Sequence, residues 1–318
     1  SLVAIWPERQ KFASVVWQVN DFCNFRCSYC NEGNWGGTSR NSKTDTYIKV
    51  LDKMVSHFES QGYEGYKFFF SGGEPSLWPS LLPIVEFLRS RVKNPSIAIN
   101  TNLSRPLKWW EDNYHLFNDI VASFHIEYTK QDRYLENIKF LQYRIDYLAL
   151  RLLMHYERFP EVVAFSEKVK EELDNYLIEY APLMAELMPH SDLVVYQEQW
   201  KKDFLDKNHL DEQRKVDFCS LNRPAAAYCM EYFSDGSLRG SNSNRVVAEG
   251  ANSFKGWQCW INDGIFIGPN GKIRLASCRA SREVGDMNAG TIEFLKDPVI
   301  CPEARCNCGT DINIPKVR

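Results

Sequence analysis

No run of about 18 uncharged apolar residues occurs in this chain. Its first residues, SLVAIWPERQKF, lack both the basic region and the long apolar region of a secretory signal. A membrane span is therefore not expected, and a cytoplasmic location is. Charge of one sign is missing too: 38 basic against 41 acidic residues leave a formal net charge of −3, with no footprint for nucleic acid or an anionic membrane. A small molecule or a peptide is the better partner. Repeats and low-complexity tracts are absent, and the 44% hydrophobic content supplies an ordinary core, so disorder is not expected. The 318 residues suffice for one large α/β domain with a smaller appendage.

Cysteine, by contrast, is plentiful. Ten cysteines exceed what an inert core needs and are misplaced for cytosolic disulfides, so their distribution points to metal. Cys23, Cys27 and Cys30 lie close together, the next is Cys219, and Cys301, Cys306 and Cys308 crowd the C-terminus. Two separate sulfur-rich sites are implied.

From residue 13 to about 181, apolar β-rich runs alternate with amphipathic helical stretches, the pattern of repeated βα units on a parallel sheet. Strands are predicted at 13–19, 67–70, 96–100, 119–126, 147–154 and 176–181. Between them, Thr44 or Asp45 can cap a helix bearing Ile48, Leu51, Val55 and Phe58 on one face; Leu81, Ile84, Val85 and Leu88 define a second, and Tyr134, Leu135, Ile138 and Leu141 a third. Six units are too few for a full eight-stranded barrel and suit an open, partial (βα)6 TIM-like barrel, with ligands at the carboxyl ends of its strands. The barrel domain is placed at residues 1–215, with a polar helical connection after about 182. A smaller domain is placed at 216–318, where GIFIGPNGKIRLASC reads as a β-hairpin turning at Pro269-Asn270-Gly271. Cys259 precedes this hairpin and Cys278 closes it.

The run Cys23-Asn-Phe-Arg-Cys27-Ser-Tyr-Cys30 follows the first predicted barrel strand, where C-x3-C-x2-C can wrap three thiolates around one cluster and leave one iron open. A zinc knuckle is the bland alternative, but no fourth Cys or His lies nearby to close it. After the second strand comes Phe70-Ser71-Gly72-Gly73-Glu74-Pro75, where paired glycines permit close backbone approach and Glu74 offers a carboxylate to an ammonium.

Together these motifs resemble the radical S-adenosylmethionine (radical SAM) superfamily, with Tyr29 in the aromatic position of its cysteine signature. The resemblance implies a SAM-binding [4Fe–4S] cluster on Cys23, Cys27 and Cys30. It also implies reductive cleavage of SAM to a 5′-deoxyadenosyl radical that abstracts a substrate hydrogen, and a flavodoxin- or ferredoxin-type electron donor. Ser71, Gly72, Gly73 and Glu74 would contact the methionyl amino group. Asn100 and Asn102 would border the SAM site, unless they only form a turn. Ser123 matches a position used for the ribose or carboxylate, and Arg151 could pair with the carboxylate or form a structural ion pair. His125 and Glu127 extend towards the same mouth as candidates for substrate contact, with a buried structural role as the alternative for His125.

The C-terminal cysteines resemble the Twitch form of a SPASM-type auxiliary domain. The departures are Gly271, seven residues before Cys278, and the terminal C-x4-C-x-C group. One auxiliary [4Fe–4S] cluster is expected on four of Cys259, Cys278, Cys301, Cys306 and Cys308, with a zinc ribbon as the alternative. Cys219 and Cys229 read as small core residues. The chain begins almost at its first barrel strand, so no leader-peptide-binding module is expected ahead of it. That favours a small molecule such as a sugar, or a peptide delivered by another protein. Oxidation, epimerisation and cross-linking all suit this outline. The competing class is an iron–sulfur electron carrier or metal-dependent binding protein without SAM cleavage.

Overall fold

Strands with a helix layer on one face and further packing on the other read as continuous apolar runs, because both faces are buried. The computed structural model shows this for most of the predicted βα region. It describes residues 1–5, 12–30, 33, 35–37, 43–183, 196–208, 210–212, 228–278 and 282–318. The strands are β1 (Leu2–Ile5), β2 (Phe12–Gln18), β3 (Gly65–Ser71), β4 (Ser96–Thr101), β5 (Asp119–Phe124), β6 (Tyr147–Met154), β7 (Leu177–Pro182), β8 (Leu210–Glu212), β9 (Tyr228–Phe233), β10 (Leu238–Asn242), β11 (Gln258–Cys259), β12 (Gly264–Ile267), β13 (Lys272–Leu275), β14 (Glu283–Asp286), β15 (Thr291–Ile292), β16 (Val299–Ile300) and β17 (Lys316–Val317). The helices are α1 (Thr44–Ser60), α2 (Leu81–Arg91), α3 (Leu107–Asn113), α4 (Gln131–Leu141), α5 (Phe159–Glu172), α6 (Gln199–Lys207), α7 (Ser243–Ala248) and α8 (Gly309–Ile312).

Strands β2 to β7 lie side by side in chain order, every pair parallel. They form the centre of an 11-stranded sheet whose edges are β15 and β8. Among the described residues the sheet stays open: the two edge strands do not pair, and no barrel is closed. Alternate residues point to opposite faces. Ile120, Ala122 and Phe124 of β5 and Leu150 and Leu152 of β6 join the main core with the helices, where Phe124 stacks on Phe165 of α5 at 3.9 Å. Val121, Tyr147, Ala149 and Leu177 form a second buried cluster, with Phe69 packed against it.

Two features differ from the sequence expectation. Neither Thr44 nor Asp45 caps α1: both lie inside it after Lys43, and the Thr44 hydroxyl bonds that of Ser80 at 2.7 Å. The hairpin expected in the smaller domain, β12–β13, instead continues the large sheet, because β12 runs parallel to β2 from Gly264↔Ser14 to Ile267↔Trp17. A second, six-stranded sheet has the order β10-β9-β1-β17-β11-β16, so strands from both ends of the chain build it together. Among the described residues no helix is long and apolar enough to cross a membrane. Cys219 lies outside the described residues.

Candidate functional site

The cysteine loop leaves the carboxyl end of β2 and is laced to the turn after β3 by main-chain hydrogen bonds. Val19 N–H donates to Ser71 O at 2.8 Å, Gly73 N–H to Asn20 O at 3.0 Å, and Glu74 N–H to Phe22 O at 2.8 Å. This approach explains one glycine. Gly72 has φ +120, and a Cβ there would stand 2.7 Å from Asn20 O, so a side chain is barred both by conformation and by space. The two motifs are therefore one structural unit.

The loop also closes on itself. Phe22 bridges Gly36, Gly37 N–H donates to Asp21 O at 3.0 Å, and Trp35 Nε1 donates to Cys30 O at 3.2 Å. Cys30 N–H donates to Cys27 O at 3.0 Å. The Cys23 sulfur accepts from Phe25 N–H at 3.3 Å and from Asn102 Nδ2 at 3.7 Å, the kind of N–H···S contact that stabilises a metal-bound thiolate. Without metal, burial pushes Cys23 up to about 11 and Cys27 up to about 12, so both are thiols at neutral pH. Loading iron would release their protons.

Glu74, expected to meet the methionyl amino group, is held by protein donors. It is fully buried, and both carboxylate oxygens are engaged by protein: Oε1 accepts from Ser76 N–H at 3.0 Å and Thr101 Oγ1 at 2.7 Å, and Oε2 from Asn102 N–H at 2.7 Å. Burial raises its pKa while those donors oppose the rise. Its carboxylate thus ties the β3 turn to the end of β4, and through Asn102 to Cys23.

His125 and Glu127 are likewise brought to the cysteine loop. The Tyr29 hydroxyl lies 2.8 Å from His125 Nδ1, with the rings 12° from parallel, and Glu127 Oε2 accepts from Ser28 N–H at 2.8 Å. Burial would raise Glu127, but Ser28 and His155 outweigh it and hold the carboxyl below its usual value. His155 Nδ1 accepts from the backbone N–H groups of Glu157 and Arg158, which leaves the proton on Nε2, 3.4 Å from Glu127 Oε1 but not in hydrogen-bond geometry with it. Glu127 and His125 therefore fasten the cysteine loop to the end of β5. His155, which sequence reasoning missed, extends the chain to β6.

Deeper along the strands, Ser123 Oγ donates to Asn100 Oδ1 at 2.9 Å. Arg151 donates from Nε and Nη2 to Glu179, both at 2.8 Å, so its cation already has an anion on the next strand. Ser71 sits at the end of β3, beside Gln18 of β2.

In the C-terminal region, Cys259, Cys278, Cys301 and Cys306 line one small pocket, beside Asp311 and Lys316. Cys308 is not in its lining; its sulfur lies 2.9 Å from Thr310 Oγ1. Burial pushes Cys259 up to about 11 and raises Cys306 well above the usual thiol value, with Lys316 opposing in both cases. Cys229 is buried outside the pocket, as a core residue would be. Among the described residues, no three His, Cys, Asp or Glu side chains converge as the ligands of one ion do. A four-iron cluster does not require that convergence, since each thiolate binds its own iron. Both cysteine sets fit such a group by donor chemistry.

Residues 17–148 match the family model described as the Radical SAM superfamily. Over 106 residues the chain is 29% identical to a GTP 3′,8-cyclase of Klebsiella pneumoniae subsp. pneumoniae, covering 32% of each protein. Over 90 residues it is 34% identical to the Pasteurella multocida GTP 3′,8-cyclase, covering 28% of this chain and 26% of that protein. These matches span about a third or less of the relatives' own length. Among solved structures, anSMEcpe with bound AdoMet shares the fold at a TM-score of 0.53 and 14% identity, over 87% of this chain and 78% of that one. Residues 17–148 are thus similar to the Radical SAM superfamily, within a mixed α/β fold.

Proposed function

We propose that this protein is a radical SAM enzyme in which Cys23, Cys27 and Cys30 hold the SAM-binding [4Fe–4S] cluster. The observation that carries the reading is the lacing of the three-cysteine loop to the Ser71–Glu74 turn, which brings the two motifs of the superfamily together at the carboxyl ends of β2 and β3. When bound, the cluster and SAM would supply the 5′-deoxyadenosyl radical that attacks the substrate. The chain's residues supply position. Asn102 donates to a ligand sulfur, Glu74 fixes Asn102, and Tyr29, His125 and Glu127 hold the loop against β5. The close approach at Gly72 leaves main-chain atoms of the turn as candidates for the methionyl group.

In this reading β2 to β7 act as the strands of a partial (βα)6 barrel, and residues 216–318 as a Twitch/SPASM-like auxiliary domain. Cys259, Cys278, Cys301 and Cys306 would hold the auxiliary cluster, because they share one pocket from which Cys308 is absent. The substrate is a small molecule or a peptide; a protein of similar fold, anSMEcpe, binds AdoMet together with a peptide. The test is anaerobic reconstitution, reduction with dithionite and detection of methionine and 5′-deoxyadenosine from SAM. Replacement of Cys23, Cys27 and Cys30 by Ala should abolish both products, and undiminished cleavage in that variant refutes the assignment.

A further inference from the structure

Lys316 lies on β17 in register with Cys259 of β11, and its side chain is almost wholly buried, at 1% exposure. Its ammonium donates to the main-chain carbonyls of Asp311 at 2.8 Å, Ile312 at 3.1 Å and Ile314 at 2.6 Å, and lies 4.9 Å from the Phe254 ring centroid. Three donors meeting three carbonyls orient the charge without neutralising it. A cation withdrawn from water in this way is costly unless a nearby negative charge compensates it. The pocket that Lys316 lines contains four thiols and the Asp311 carboxyl, which accepts from the Ser277 N–H and hydroxyl and feels the Lys316 charge, so a cluster bound by the four thiolates would add negative charge beside that of Asp311.

We propose that Lys316 is the fixed counter-charge of the auxiliary cluster and a positioning residue that raises its reduction potential. The proposal rests on the auxiliary-cluster reading above. One-electron reduction adds one negative charge to a cluster ligated by four thiolates, breaks no bond and moves no proton. A fixed positive charge beside the cluster therefore favours the reduced state over the oxidised one, and more strongly in a buried pocket than in water. Lys316 needs no contact with substrate to act in this way.

The experiment uses the full chain with Cys23, Cys27 and Cys30 replaced by Ala, so that the auxiliary cluster is read alone. Iron content is measured first, then the midpoint potential by EPR-monitored redox titration. Lys316→Gln should keep its iron while its reduction equilibrium shifts about tenfold towards the oxidised state, which is 59 mV lower for one electron. Lys316→Arg, which keeps the charge, should stay near the parent value. A Gln variant with full iron and an unchanged potential overturns the proposal. So does an Arg variant that falls as far as Gln, since the effect then follows shape and not charge. Independently of any Lys316 substitution, ¹⁵N-lysine labelling should give a ¹⁵N coupling in pulsed EPR of the reduced cluster, and its absence places the ammonium too far away to act. If the triple-Ala protein holds no iron with Lys316 intact, the auxiliary-cluster reading itself has failed.

Discussion

Replacing Glu74 separates two roles that a sequence motif cannot distinguish. Glu74→Ala removes the acceptor for two backbone N–H groups, of Ser76 and Asn102, and for the Thr101 hydroxyl, all at a fully buried position. An orphaned buried donor costs about 1–3 kcal/mol, and breaking a buried charged arrangement about 3–5 kcal/mol. The hydroxyl can rotate, and removing a buried carboxylate relieves some desolvation, so the net loss should be about 3–5 kcal/mol. That is a large share of the roughly 5–15 kcal/mol that stabilises a domain. Glu74→Gln should cost about 2 kcal/mol, because whichever way the amide is turned its –NH2 faces one of the two backbone N–H groups. Urea unfolding of the iron-free protein, followed by tryptophan fluorescence, measures both without SAM present. A loss below about 1 kcal/mol for Glu74→Ala, joined to a ten- to hundredfold weaker affinity for SAM in the reconstituted variant, would refute the clamp and return Glu74 to direct contact with the ligand.

The remaining predictions concern sulfur and acid. Reconstituted protein should hold about eight irons per chain, and the Cys23/Cys27/Cys30→Ala variant about four; one zinc in that variant would favour a ribbon instead. Single Ala replacements of Cys259, Cys278, Cys301 and Cys306 should each lose or alter the auxiliary cluster in iron assays and EPR, whereas Cys308→Ala should retain it; loss in Cys308→Ala with retention in any of the other four contradicts the pocket assignment. Burial pushes His125 down to about 4, with Glu127 opposing. A base whose folded pKa is depressed contributes stability above its unfolded value near 6.5, which is lost as pH falls towards 4, by up to about 3 kcal/mol. His125→Gln should flatten the dependence of unfolding free energy between pH 7 and 4.5, and an unaltered slope removes His125 as its cause.

Much of the central sheet was legible because its strands are local, apolar and evenly spaced. The observed bounds of β2 to β7 fall within about two residues of the six predicted runs, as the periodicity argument allows. The second sheet was not legible. Leu2–Ile5 is four residues long and pairs with β9 and β17, more than 220 residues away, so no local pattern announces it. The docking of β12 on β2 was hidden for the same reason. Within the site, Arg151 was recognised as a candidate cation but its partner was not. Glu179 was visible as the one charge inside the apolar run YLIEYA, and the register Arg151↔Glu179 turns that oddity into an ion pair. Glu74 shows the opposite limit. Its motif was read as offering a carboxylate to an ammonium, but beside the local Ser76 N–H its donors include Thr101 and Asn102, and only folding brings these to the turn.

The topology also argues that the two sulfur-rich sites are independent. β12 and β2 are parallel, and Cys23 follows the carboxyl end of β2. Cys259 precedes the amino end of β12, separated from it by one 3₁₀ turn, and β13 returns antiparallel so that Cys278 emerges at that same amino end, where Ala276 N–H donates to Gly264 O. The two thiol sets therefore lie towards opposite ends of one strand pair. At roughly 3.3 Å per residue, the four residues of β12 alone separate those ends by about 13 Å. No cluster spans that gap, so neither set can lend a ligand to the other. Iron lost with one set should leave the other set's iron in place, and a triple variant that loses the iron of both sites would show that one folds only when the other is loaded.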